Sequence, residues 1–148
     1  MESIFRMFQF LFLVLLICTP PVFSETTANS LLSSGDSYYN QKKYAQALNA
    51  YKQVVIKEPA NLIALESLRK ASVAANDTMS TSVFLDNILQ KDPSNTNARK
   101  VQIEVYYDMA KTMRKFGADF NQPDFIVQAE KCEKKAESLK KYLIKRSY

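Results

Sequence analysis

Cys132, fifteen carboxylates and eight tyrosines carry most of the chemistry this chain can offer, and no histidine stands beside any of them. Without histidine, no side chain has an ordinary pKa near 7, so Ser–His and Cys–His nucleophile schemes are missing. The carboxylates are scattered and mostly sit beside lysines. The two glycines, Gly35 and Gly117, are too far apart to build a phosphate loop. Cys132 has no neighbouring Cys or His with which to hold zinc. These residue types argue against an enzyme, a resident cofactor or a metal site. They leave binding, for which tyrosine is well suited, being large, fairly rigid and polar at its tip.

Two short stretches organise the elements that would position such a surface. Lys57-Glu58-Pro59-Ala60-Asn61 and Lys91-Asp92-Pro93-Ser94-Asn95 share one pattern, with their prolines 34 residues apart. Proline lacks the N–H a helix interior needs and pushes the residue before it out of the α region. Helices are therefore expected to end at about Lys57 and Lys91. Asn61 and Asn95 can accept a hydrogen bond from the N–H groups that open the next helices. Punctuation at one fixed period marks a repeat array.

Composition narrows the setting. Residues 1–24 read as a signal peptide: Arg6, an apolar run from Phe8 to Cys18 broken only by Gln9, then Pro20-Pro21 and cleavage after Ser24. The run is shorter than the roughly 20 residues a spanning helix needs. The expected product is a secreted or envelope-located chain, membrane-anchored if the leader is retained. Residues 25–148 suffice for one domain and contain one cysteine, so no internal disulfide can form. From Glu25 to Glu130 the formal charge is zero, and from Lys131 to Tyr148 it is +5.

Apolar spacing gives the helices. Leu31, Gly35 and Tyr38, then Tyr44, Ala47, Leu48, Tyr51 and Val55, fall at helical intervals on either side of a polar turn at Asn40-Gln41-Lys42. Leu62, Leu65, Leu68, Ser72 and Ala75, then Thr81, Leu85, Ile88 and Leu89, repeat the plan around Asn76-Asp77-Thr78. A third helix, of about 20 residues, carries Ala98, Val101, Val105, Met109, Thr112 and Phe116, with Gly117 expected to close it in a left-handed conformation. Pro123 opens the last helix, whose seam is Phe125, Ala129, Cys132, Ala136, Leu139 and Leu143. Glu130–Lys134 and Glu137–Lys141 are expected to pair along it, while Lys134, Lys141 and Lys145 point away from the seam.

On these residues the chain resembles the tetratricopeptide repeat family, a helix-turn-helix unit of about 34 residues. Leu31, Ser34, Gly35, Tyr38, Ala47, Tyr51 and Pro59 stand at the family's motif positions in the first unit. In the second, Leu65, Leu68, Leu85 and Pro93 fit, but Arg69 replaces the glycine, Ser72 the tyrosine and Thr81 the alanine. The third keeps Ala98 and Tyr106 and places Lys115 where a small residue belongs. The resemblance implies an all-α fold of stacked antiparallel helix pairs in a right-handed superhelix. The repeats would be 28–61 and 62–95, with a degenerate, elongated third unit and capping helix over 96–146.

It also implies a concave groove that binds a peptide or a helix, lined by the first helix of each pair. The implied groove set is Asp36, Tyr39 and Asn40, then Glu66 and Lys70, then Lys100, Glu104, Tyr107 and Asp108, flanked by Asn29, Ile63 and Val73. Family members that grip a chaperone's terminal carboxylate use Lys, Asn and Arg where this chain has Leu32, Asp36, Ser67, Asn97 and Val101, so that specialisation is not expected. The reading is an exported protein-interaction module or scaffold. A self-assembling envelope protein, built by end-to-end stacking of the repeats, is the alternative.

Other features keep two readings each. The basic face of the last helix, Lys134, Lys141 and Lys145, is either solvated or a weak contact for an anionic surface. It has no aromatic-basic stacking pattern for nucleic acid. Asn76-Asp77-Thr78 is a glycosylation sequon or simply a turn. Cys132 is a buried small hydrophobe or the site of an intermolecular disulfide.

Overall fold

The computed structural model describes residues 27–146, and the expected leader over 1–24 lies outside them. The described residues form six α-helices and no strand: α1 (Ala28–Asn40), α2 (Tyr44–Lys57), α3 (Leu62–Ala74), α4 (Thr78–Lys91), α5 (Thr96–Asp119) and α6 (Pro123–Arg146). The fold is all-α. Connectors of three or four residues make each helix double back on the one before it, and each packs against the next. Beyond that sequence of neighbours, α3 also touches α5.

The expected helix ends hold. α2 stops at Lys57 and α4 at Lys91, just before the Glu-Pro and Asp-Pro steps. Asn61 Oδ1 accepts from Ala64 N at 3.1 Å and Asn95 Oδ1 from Ala98 N at 2.9 Å. Thr27 does the same for α1, accepting from Ser30 N at 3.2 Å. Thr27, Asn61 and Asn95 are thus three N-caps at 34-residue steps, a regularity legible in the sequence from the cap residue types.

The turns inside the pairs share another device. Lys42, Asn76 and Asn121 have positive φ, at 60°, 54° and 49°. The following N–H reaches back five residues in each case: Lys43 to Tyr38 O, Asp77 to Ser72 O, and Gln122 to Gly117 O. This is the Schellman closure, which satisfies carbonyls at a helix C-terminus. The first two left-handed residues lie 34 apart and the next lies 45 further on. The eleven extra residues are about three helical turns, so α5 keeps its buried face while projecting about 16 Å past the α3–α4 turn.

Gly117 therefore does not close its helix. It is helical and buried in the last turn of α5, which runs on to Asp119, and Asn121 takes the left-handed position instead. What Gly117 supplies is room: a Cβ there would stand 2.8 Å from Ile126 Cδ1 and 3.0 Å from the Gln122 carbonyl. Gly35 does likewise in the first pair, where a Cβ would meet the Tyr51 ring at 2.5 Å. Ala47 in the same pair is fully buried.

The core runs from Leu48, Val54 and Val55 through Leu65, Leu68 and Leu85 to Val101, Val105 and Met109, and Ala129 and Ala136 on the inner side of α6 are completely covered. The seam of α6 forms largely as spaced, with Cys132, Leu139 and Leu143 half-buried. Phe125 leaves the seam at its start. It joins Phe116 and Phe120 in an exposed aromatic cluster at the tip of the α5–α6 hairpin, with ring centroids 4.4–5.2 Å apart.

Candidate interaction site

The residues that the 34-residue register places on α1, α3 and α5 divide into two groups. Asn40, Glu66, Lys70, Lys100 and Glu104 are exposed, as are Asn29, Ile63 and Val73. Asp36, at the Lys70 and Glu104 position of its own unit, is exposed too, but its Oδ1 accepts from the Tyr51 hydroxyl at 2.7 Å. The three positions give a −, +, − series across the helices, while Leu32, Glu66 and Lys100 form the neighbouring row. The charges among these residues are mixed in sign and nearly cancel.

The second group is engaged by neighbouring residues of the fold. Tyr39 is half-buried and meets Tyr44 edge to face across the first turn, at 5.3 Å between centroids. The Tyr107 hydroxyl donates to the Glu137 carboxylate on α6, which raises the phenol pKa. Asp108 receives a two-pronged bond from Arg69, Nε to Oδ2 at 2.6 Å and a terminal N–H to Oδ1 at 3.1 Å. That guanidinium also lies 3.6 Å from Glu104, and Asp108 leads the neighbours that hold it charged above its ordinary range. Of the nine groove residues implied by the resemblance, Tyr39, Tyr107 and Asp108 thus have internal partners and are at most half-exposed.

Sequence reasoning missed Arg69 as a site-building residue. It was visible as a departure from the repeat, a long cation at a place for glycine. The structure gives it a role: it ties α3 to α5 and holds the two exposed helix faces side by side. The proline joints do similar work. Asn95 Nδ2 donates to Pro59 O and Asn97 Nδ2 to Ala60 O, both at 2.9 Å, so the second joint is bonded directly to the first.

On α6 the carboxylates do not pair with the lysines four residues on. Glu133 is bonded to Arg114 through two N–H···O contacts of 2.9 and 2.7 Å, which hold its carboxyl below the usual range. Glu137 takes the Tyr107 hydroxyl. The expected Glu130–Lys134 and Glu137–Lys141 pairs are absent among the described residues. The better-placed donors on α5 win, because exposed i,i+4 pairs are worth only a few tenths of a kcal/mol.

Asn76 is exposed at the left-handed position of the α3–α4 turn, and Thr78 opens α4. Cys132 is half-buried against the core, and burial, then Glu133, push its thiol pKa up. No group of three or more Cys, Asp or Glu side chains suited to a metal ion occurs among the described residues. These features define the class as an all-α protein of successively packed helices. No family model matches the sequence, and no curated protein matches it.

Proposed function

We propose that this chain is a tetratricopeptide-type interaction module, exported after removal of residues 1–24. It holds an extended peptide or a partner helix against the exposed sides of α1, α3 and α5 in a superhelical stack. The observation that carries the reading is the bonding of one joint to the next. Asn95 and Asn97 reach the carbonyls of Pro59 and Ala60, 36 and 37 residues back, and Arg69 locks α3 to α5 in the same step. A chain that joins consecutive units this way presents their first helices in register, which is what a groove requires.

The alternating charges of Glu66, Lys70, Lys100 and Glu104 suit a partner of mixed charge rather than a uniformly acidic or basic one. Peptide selection against the wild-type chain tests this. Enriched peptides should lose at least about tenfold in affinity for a Lys70→Glu, Lys100→Glu variant whose helical circular dichroism is unchanged. Peptides that ignore the double reversal would overturn the groove. A scattering mass that climbs with concentration would point instead to end-to-end stacking of copies.

A further inference from the structure

The outer side of α6 carries a basic stripe with acids along one edge. Val127, Lys134, Lys141 and Lys145 are spaced by seven, seven and four residues, which returns them to nearly one line along the helix. Lys131 and Ser138 border that line, and all six are exposed. The opposite side carries fully buried Ala129 and Ala136, so the stripe faces away from α5.

Three carboxylates flank the stripe on one edge, and two of them are bonded to α5. Glu133 is bonded to Arg114 and Glu137 to Tyr107, while exposed Glu130 lines a shallow concavity together with Lys134 and Lys141. Lys134, Lys141 and Lys145 have no ion-pair partner among the described residues. The formal charge is +5 over 131–148 against zero over 25–130, and four of that segment's seven cations, Lys131, Lys134, Lys141 and Lys145, lie on or beside this line.

The stripe and its edges are not purely charged. Val127 on the line is about half exposed, at 49%; Ile144, at 55%, lies on the acidic edge, one heptad after Glu137, and exposed Tyr142 lies on the other edge with Arg99 over its ring at 4.8 Å. An aliphatic side chain in line with the lysines, with a second aliphatic at one edge and a tyrosine at the other, matches the layered polarity of a bilayer interface, where apolar groups sink below the headgroups and cations meet lipid phosphates. A polyanion such as nucleic acid rewards the lysines but not Val127 or Ile144. No helix among the described residues is long and apolar enough to cross a membrane, so this contact lies on the surface.

We propose that the outer face of α6 docks on an anionic lipid bilayer, with Lys134, Lys141 and Lys145 meeting headgroup phosphates and Val127 and Ile144 entering the interface. The contact is independent of the groove. Its strength rises with the anionic lipid fraction and falls with salt, because exposed charges are screened within about 10 Å at 0.1 M ionic strength.

Vesicle co-sedimentation of the full chain tests it, comparing pure phosphatidylcholine with phosphatidylcholine containing phosphatidylserine. Any binding through the apolar segment Phe8 to Cys18 is common to both vesicles, so the readout is the gain from the anionic lipid. Lys134→Glu, Lys141→Glu, Lys145→Glu should cut that gain at least about tenfold, and the corresponding Lys→Gln set should cut it less. Val127→Ser with Ile144→Ser should also lower it, with helical circular dichroism retained throughout. No phosphatidylserine gain in the wild-type chain, or a gain that survives the triple reversal, would overturn the proposal. So would a serine pair that leaves vesicle binding intact while duplex DNA competes for the same lysines, since that marks a polyanion site.

Discussion

The first and second helix pairs share one register and hold together by different means. In the first, Gly35 lets the Tyr51 ring lie directly on the backbone of α1, Ala47 is completely buried, and α1 and α2 pack closely. In the second, Arg69 stands where Gly35 does and Thr81 where Ala47 does, and α3 and α4 contact each other much less. Arg69 turns outward to Asp108 and Glu104 on α5. The second pair is held mainly by its neighbours, with α3 against α2 and α5, and α4 against α5. One position in a repeat can close its own pair or fasten the pair to the next unit, and side-chain size decides which.

The largest effect should come from Tyr51, which anchors the first pair and is 2% exposed. Tyr51→Ala should lower the unfolding free energy by about 3–5 kcal/mol, the usual range for truncating a buried aromatic. Urea denaturation measures it, and a loss under about 1 kcal/mol would mean the ring is not the keystone of the pair. Burial first, and then the bond to Asp36, raise the Tyr51 phenol above the ordinary tyrosine range. A raised folded-state pKa means this contribution is whole below the unfolded pKa of about 10 and shrinks as pH climbs above it. The stability lost between pH 10 and 11 should be smaller in Tyr51→Phe than in the wild-type chain.

The two glycines come next. A methyl at Gly35 meets a ring that is buried and tethered by its hydroxyl, so Gly35→Ala should cost about 1–3 kcal/mol, despite a helix-propensity gain of about 1 kcal/mol. At Gly117 the nearest atom is the flexible end of Ile126, although the Gln122 carbonyl is also close at 3.0 Å. Gly117→Ala should therefore cost less, within about 1 kcal/mol of neutral. Equal losses at the two sites in parallel melts would show that ring and aliphatic contacts yield alike.

Arg69 probes the other half of the comparison. Its side chain is 33% exposed and that of Asp108 18%, so screening tempers a pair whose two-pronged geometry is otherwise favourable. A double-mutant cycle with Arg69→Ala and Asp108→Ala should give a coupling of about 1 kcal/mol. Zero coupling would leave the joint bonds from Asn95 and Asn97 as the tie between the units.

The all-α fold, the stops at Lys57 and Lys91 and the caps at Asn61 and Asn95 were legible because each depends on local chemistry that one residue type dictates. The role of Gly35 was legible as well, since only a missing Cβ admits the Tyr51 ring so close. Gly117 misled because glycine suits both a left-handed cap and a close helix contact, and only the position of Ile126 decides between them. Tyr107 and Asp108 occupy positions that the repeat register assigns to the groove. Their orientation depends on Glu137 and Arg69, 30 and 39 residues away, and no local pattern reveals such pairs. The same holds for α6, where local spacing favours Glu137 with Lys141 and the fold supplies Tyr107.

The smallest expected effect is also the sharpest test of why the second pair is looser. Thr81 is completely buried, and its hydroxyl has no hydrogen-bond partner among the described residues. An unpaired buried hydroxyl costs free energy, whereas an apolar group of the same shape does not. Thr81→Val keeps the branched outline and should raise stability by up to about 1 kcal/mol, read as a higher urea midpoint with an unchanged slope. Adding Arg69→Ala to this variant should then remove only the tie to α5, so the two changes should add unless the pair tightens. A loss on Thr81→Val would mean the hydroxyl finds a partner in solution, and would leave Arg69 alone to account for the loose packing of α3 on α4.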